Sequence, residues 1–234
     1  MQHIPIEKRI IFALDVNTKE EVEKWLNRLG SYIKFYKVGL ELFVSLGFEV
    51  VDMISDRGFE VMLDLKLYDI PKTVERTVKQ IRKRRVSFLT VHGNYDILRA
   101  AVDGAGDSNL KILGVTVLTS FDEKDLKELG YNVAVEELVL NRARLTYRAG
   151  CAGVVASAHE AKLIKSKIPD LTIVTPGIRV EVSKKQDQKR VMTPPKAIEM
   201  GSDYLVIGRA IRDSDEPEVV TEKIISEIKY SLKK

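Results

Sequence analysis

The chain holds a single cysteine, Cys151, in 234 residues. One thiol allows neither a disulfide framework nor a thiolate metal cluster, so Cys151 is expected to pack as a small apolar side chain. Histidine is scarce too: His3, His92 and His159 are scattered without the spacing of metal ligands. Aromatic residues make up 7% of the chain, and none interleaves with the one dense basic run, Arg82-Lys83-Arg84-Arg85. A base-stacking nucleic-acid surface is therefore not expected. The run reads instead as a solvated helix end, where cations meet the negative pole of the dipole. No apolar stretch is long enough to span a membrane, and Met1-Gln2-His3-Ile4-Pro5 has no apolar signal region, which together predict a cytoplasmic protein. No linker, low-complexity segment or internal repeat interrupts the chain, so one domain over residues 1–234 is expected.

What is present is a regular alternation. The chain is 44% hydrophobic and 31% charged, with a net charge of +4, enough for one sizeable core and a slight bias toward a small anionic ligand. Apolar runs suited to strands fall at Arg9–Val16, Phe35–Gly39, Glu60–Lys66 and Val86–His92, then at Lys111–Leu118, Gly153–Ala156, Thr172–Pro176 and Tyr204–Gly208. Helical patterns such as Lys19–Leu29, Thr73–Arg84 and Glu218–Leu232 fill the gaps. Val-, Ile- and Leu-rich strands alternating with helices pair in parallel through right-handed crossovers. Eight such units in this length predict an α/β fold, a (β/α)8 TIM barrel. A doubly wound open sheet is the alternative, although it usually shows fewer strands and a Gly-rich first turn.

The segment Val61–Pro71 carries the chemistry. Side chains alternate along a strand, so Val61, Leu63, Leu65 and Leu67 share an apolar face while Asp64 and Lys66 share the other. Asp69 follows just past the strand end. Buried charges need partners, and a carboxylate, an ammonium and a second carboxylate at one strand end read as a proton-handling group, with a solvated edge strand carrying a surface ion pair as the alternative. Asp15 follows Ile11 and Ala13 at period two, and Lys37 ends the second strand, so both should point inward; taken alone the two read as an ordinary internal ion pair. Carboxylates beside each lysine would hold it charged, suited to donating a proton to carbon or stabilising a developing anion. Thr175-Pro176-Gly177-Ile178-Arg179 follows strand seven and Ile207-Gly208-Arg209 follows strand eight, where this fold usually binds phosphate. Arg179 and Arg209 could clamp phosphate oxygens. The aperiodic stretch Val180–Met192, with Gln188 inside it, reads as a lid or a mobile surface loop.

Asp64-x-Lys66-x-x-Asp69-Ile70-Pro71-x-Thr73 resembles the signature of the orotidine 5′-phosphate decarboxylase family. The resemblance extends to Leu14-Asp15, Lys37-Val38-Gly39, Val117-Leu118-Thr119-Ser120, Thr175–Arg179, Asp187–Arg190 and Ile207–Arg209, nearly the whole chain. It implies a barrel without cofactor or metal that forms homodimers with active sites at the interface. Lys66 would protonate C6 of the pyrimidine as carbon dioxide departs, with Asp64 against the substrate carboxylate. Asp69, Ile70 and Thr73 would come from the partner subunit. Asp15 and Lys37 would contact the ribose hydroxyls, Lys37 also bracing Asp64, and Thr119 or Ser120 would meet the base edge. Arg179, Gln188 and Arg209, with Gly208 beside them, would hold the phosphate, and Pro176 would line the pocket. Tyr68, Lys72 and Gly93–Asp96 depart from the family pattern. Two other readings stand beside this one. A Mg2+-dependent sugar-phosphate lyase of the same superfamily would carry an acid near the end of strand two, where this chain has Lys37. A non-catalytic phosphometabolite-binding protein would have no need of Lys66.

Overall fold

The apolar runs close on themselves. In the computed structural model, which describes residues 4–180 and 191–233, eight parallel strands pair in chain order and the last returns to the first. They are β1 Ile10–Leu14, β2 Phe35–Gly39, β3 Glu60–Leu67, β4 Phe88–Val91, β5 Lys111–Val115, β6 Gly153–Val155, β7 Thr172–Thr175 and β8 Tyr204–Ile207. The register of β1 sets Ile11 against Phe35 on one side and against Val206 on the other. Strand alternation then sorts the side chains. Ile11, Phe35, Met62, Phe88, Leu113 and Val174 meet in a cluster inside the barrel, while Phe12, Tyr36, Val61, Leu63, Leu89 and Val91 face the surrounding helices. Both faces are dry, which is why the strands read as nearly continuous apolar runs.

Most helices start where local chemistry dictates. Lys19–Leu29 is capped by the Thr18 hydroxyl, which accepts from Glu21 N–H at 3.3 Å. Pro71 opens the helix Pro71–Ile81 and Pro217 opens Pro217–Ser231, because proline has no N–H to lose in a first turn. These starts correct two expected boundaries, Thr73 and Glu218. The helix also stops at Ile81, so the basic run lies just beyond it. There Arg84 pairs with Asp52 at 3.1 Å and stacks over Phe48, and Arg85 pairs with Asp56.

Several strands are shorter than their apolar runs. β5 stops at Val115, and the fully buried Thr116 gives both its N–H, at 3.1 Å, and its hydroxyl, at 2.8 Å, to Val155 O. One strand is longer: β3 reaches Leu67, but its pairing with β4 slips between Leu63 and Leu67. Lys66 sits in that irregularity with φ 49°. Among the described residues no helix is long and apolar enough to cross a membrane.

Candidate active site

The inward face of each strand continues past its C-terminal end, and there the apolar lining gives way to charge. A cavity of about 730 Å³ opens at this mouth. Asp15, Lys37, Asp64 and Lys66 line one side of it. Thr119, Ser120, Pro176, Arg179, Gly208 and Arg209 line the rest. This is the face on which barrels of this type place their ligand-binding loops.

The four ionic side chains form a connected row. Lys37 Nζ lies 3.1 Å from Asp15 Oδ1 and 3.9 Å from Asp64 Oδ2. Lys66 Nζ donates to Asp64 Oδ1 at 2.9 Å. Asp64 is the most enclosed carboxylate of the row, with a side chain 13% exposed. Burial pushes its carboxyl up and is the largest single influence. The Lys37 and Lys66 ammonium groups, with hydrogen bonds from Lys66 and Thr90, outweigh it and hold the group below the usual carboxylate range. Asp64 is therefore charged at neutral pH despite its burial.

Two glycines make room for the row. A Cβ on Gly39 would stand 3.0 Å from Lys37 Nζ, and one on Gly208 would stand 3.3 Å from Asp15 Oδ2. On the anion side, the loop after β7 turns at Gly177 with φ 77°. It is tied by Met192 N–H to Gly177 O at 3.2 Å and by Arg179 N–H to Met192 O at 3.0 Å. That clasp holds Arg179 at the cavity wall.

The structure gathers ten of the expected site residues and leaves three apart. Asp69 and Thr73 are exposed and do not line the cavity of their own chain. The Asp69 carboxylate accepts from its neighbour's N–H, Ile70 N, at 2.6 Å. Ile70 itself is 66% exposed. Gln188 lies outside the described residues. Two contacts of the row escaped the sequence reading. Thr90, fully buried on β4, donates to Asp64 Oδ1 at 2.8 Å and accepts the Lys66 N–H at 2.9 Å. Its only signal was one hydroxyl inside the apolar run Phe88–Val91. Arg212 donates to Asp15 O at 2.9 Å from far along the chain and had no local signal. His92, at the end of β4, has its imidazole pushed down to about 4, chiefly by burial and then by the positive charges of Arg142 and Lys66. It is neutral near neutrality and stands edge-on to Tyr68 at 6.4 Å.

A closed parallel barrel whose ionic side chains converge on a cavity at the strand C-termini defines the class: a (β/α)8-barrel enzyme. Over residues 8–224 the chain matches the orotidine 5′-phosphate decarboxylase / HUMPS family, and it belongs to that family. The orotidine 5′-phosphate decarboxylase of Methylococcus capsulatus is 45% identical over 229 residues, 97% of this chain and 94% of that protein. The enzyme of the same name from Nitrobacter winogradskyi is 46% identical over 227 residues, 97% of this chain and 95% of its own. Among solved structures, the orotidine 5′-phosphate decarboxylase of Lactobacillus acidophilus superposes with a TM-score of 0.83 at 35% identity, covering 94% of this chain and 99% of that one.

Proposed function

We propose that this protein decarboxylates orotidine 5′-monophosphate to uridine 5′-monophosphate, with no cofactor or metal and with Lys66 as the proton donor to C6. The observation that carries the reading is the row Asp15–Lys37–Asp64–Lys66, which opens onto the same cavity as Arg179 and Arg209. Family membership and the names of the relatives support it.

The geometry and the family membership support the following chemistry. Arg179 and Arg209, beside Gly208 and with Gln188, take the phosphate. Asp15 and Lys37 take the ribose hydroxyls, Thr119 or Ser120 meets the base edge, and Pro176 packs against the ring. The substrate carboxylate then lies toward Asp64 and C6 toward Lys66. When the carbon–carbon bond breaks, carbon dioxide leaves and the electron pair stays on C6. The Lys66 ammonium, already oriented by Asp64, stabilises that charge and transfers its proton to C6. Phosphate binding far from the reacting carbon positions the base for this step.

The same reading makes the enzyme a homodimer in which Asp69, Ile70 and Thr73 of each subunit complete the other's site. It is supported by their exposure and by the neighbouring Tyr68, 73% exposed. A single domain in the cytoplasm belongs to this reading as well, supported by the family match over residues 8–224 and by the buried free thiol of Cys151, pushed up to about 12 by burial.

The deciding experiment follows the ultraviolet band of orotidine 5′-monophosphate in the presence of purified protein and EDTA. Conversion to uridine 5′-monophosphate is expected. No conversion until Mg2+ and a sugar phosphate replace them would overturn the reading in favour of a metal-dependent lyase. For the dimer, Asp69→Ala and Lys66→Ala are each expected to be inactive. Mixed with subunit exchange, they should recover about a quarter of wild-type activity, since one site of each mixed dimer is then intact.

A further inference from the structure

Strand β3 does not run straight past its catalytic end. Its partner β4 pairs Leu63 with Leu89 and then Leu67 with Val91. Four steps along β3 thus match two along β4, and Asp64, Leu65 and Lys66 all stand opposite one residue, Thr90. Lys66 absorbs the mismatch at φ 49°, the only positive φ outside glycine among the described residues. For a residue with a Cβ that conformation is unfavourable, and it persists only where the surroundings over-determine it.

Thr90 is what over-determines it. The residue is 0% exposed. Its hydroxyl accepts the Lys66 backbone N–H at 2.9 Å and donates its own proton to Asp64 Oδ1 at 2.8 Å. A hydroxyl is the smallest side-chain group that both donates and accepts, and here one oxygen serves the backbone of the lysine and the side chain of the aspartate together. Asp64 Oδ1 also receives Lys66 Nζ at 2.9 Å, leaving Oδ2 toward Lys37 at 3.9 Å. The orientation of the carboxylate and the direction of the lysine side chain are thereby tied to one point on β4.

We infer that Thr90 is a positioning residue of the decarboxylation: by pinning the kink at Lys66 and the plane of the Asp64 carboxylate, it aims the ammonium at C6. The inference rests on the decarboxylase reading above. Thr90 touches no substrate; it acts through the two residues that do. Removing its hydroxyl also removes one of the groups that keep Asp64 ionised. The charged groups facing Asp64 are Lys37 from β2 and Lys66 from β3, with Asp15 beyond Lys37 and neutral His92 at the end of β4. The acid limb of the kcat profile should therefore move to higher pH when Thr90 becomes valine, and stay in place when it becomes serine.

The test compares Thr90→Val, which keeps the shape and loses both bonds, with Thr90→Ser, which keeps both. Thr90→Val should lower kcat by about 10- to 100-fold, as misplaced catalytic groups do, with its acid limb shifted upward. Affinity for uridine 5′-monophosphate should stay within about threefold, since that loss falls on the transition state alone. Thr90→Ser should restore both kcat and the acid limb. The inference is overturned if the valine variant keeps its kcat, if serine falls as far as valine, or if nucleotide affinity falls in parallel with kcat. Should the valine variant not fold, Thr90→Cys, whose thiol donates and accepts only weakly, replaces it, with a fall in kcat and a shift of the acid limb in the same directions but smaller. If the wild type itself does not turn over orotidine 5′-monophosphate, the decarboxylase reading fails. A carbon-13 titration of the Asp64 carboxyl then judges Thr90 separately: a midpoint raised by valine and kept by serine supports its hold on the carboxylate, and an unchanged midpoint overturns it.

Discussion

At the N-terminal end of the barrel, Arg9, Lys165 and Asp203 are bound largely to backbone; at the C-terminal end, Lys37, Asp64 and Lys66 are bound largely to one another, over an open cavity. Below, Arg9 donates to Asp203 O at 3.0 Å, and Asp203 Oδ2 accepts Ile173 N–H and Lys165 Nζ, each at 2.8 Å. Lys165 also reaches Leu171 O at 2.9 Å. Charges held mainly by main-chain groups, with the one ion pair Lys165–Asp203 among them, tie neighbouring strands together. Above, the ion pairs leave hydrogen-bonding capacity turned toward a space of about 730 Å³ that a ligand can fill. Similar residue types are thus tied mainly to main chain at one end and mainly to one another at the other, and under the proposed function only the second set meets substrate.

Lys66→Ala tests the upper end most severely. Turnover should fall by roughly 10⁴-fold, because both the proton and the electrostatic stabilisation disappear. Uridine 5′-monophosphate should still bind in an equilibrium titration, and the melting temperature should hardly move. Asp203→Ala should do the reverse. Leaving Lys165 and Ile173 N–H without their acceptor in a nearly dry site costs about 3 kcal/mol, seen as a lower denaturation midpoint with kcat of the folded enzyme preserved. If Asp203→Ala lost activity without losing stability, the division between the two ends would be broken.

Arg212→Ala is a finer probe. Asp15 loses the guanidinium that bonds its carbonyl at 2.9 Å and stands 3.9 Å from its carboxylate. KM should rise about tenfold with kcat little changed, the mark of binding lost equally from ground and transition states.

The last probe concerns pH. His92 is held down to about 4 in the folded chain against 6.5 in the open one. Between those values the unfolded chain binds a proton that the native site refuses, so stability falls as pH drops through that window. His92→Gln should flatten that fall, read as the difference in melting temperature between pH 7 and pH 5. Asp64 has the opposite kind of charge but the same direction: its stabilisation is present above the ordinary carboxylate value and is lost as pH falls through its lower folded value. The Asp64 contribution therefore disappears at more acid pH than that of His92.

Much of this was legible in the residues. All eight strands announced themselves as apolar runs because both faces of a barrel strand are dry. Asp15, Lys37 and Asp64 were legible because period-two alternation carries the interior face of each strand up to its rim. Strand and helix ends were less so: β5 ends where the Thr116 hydroxyl joins its own N–H on a β6 carbonyl, and no window of sequence contains both partners. Thr90 passed for one more β-former in an apolar strand. Its role depends on a slip in register between two strands, and register is a property of the pair. The contact of Arg212 with Asp15 spans 197 residues, beyond the reach of any local pattern.

By itself, the sequence determined the order of strands and helices, the inward direction of the charged residues and the signature Asp64-x-Lys66-x-x-Asp69, because these follow from local periodicity and residue chemistry. Only the tertiary structure decided which charges meet. Parallel pairing set β1, β2 and β3 side by side, so that Lys37 lies between two carboxylates. The slip against β4 turned Lys66 into a left-handed conformation, and one buried hydroxyl held it there. Distances between strands come from the closure of the sheet, and the strength of an ion pair depends on those distances and on how much water closure leaves behind.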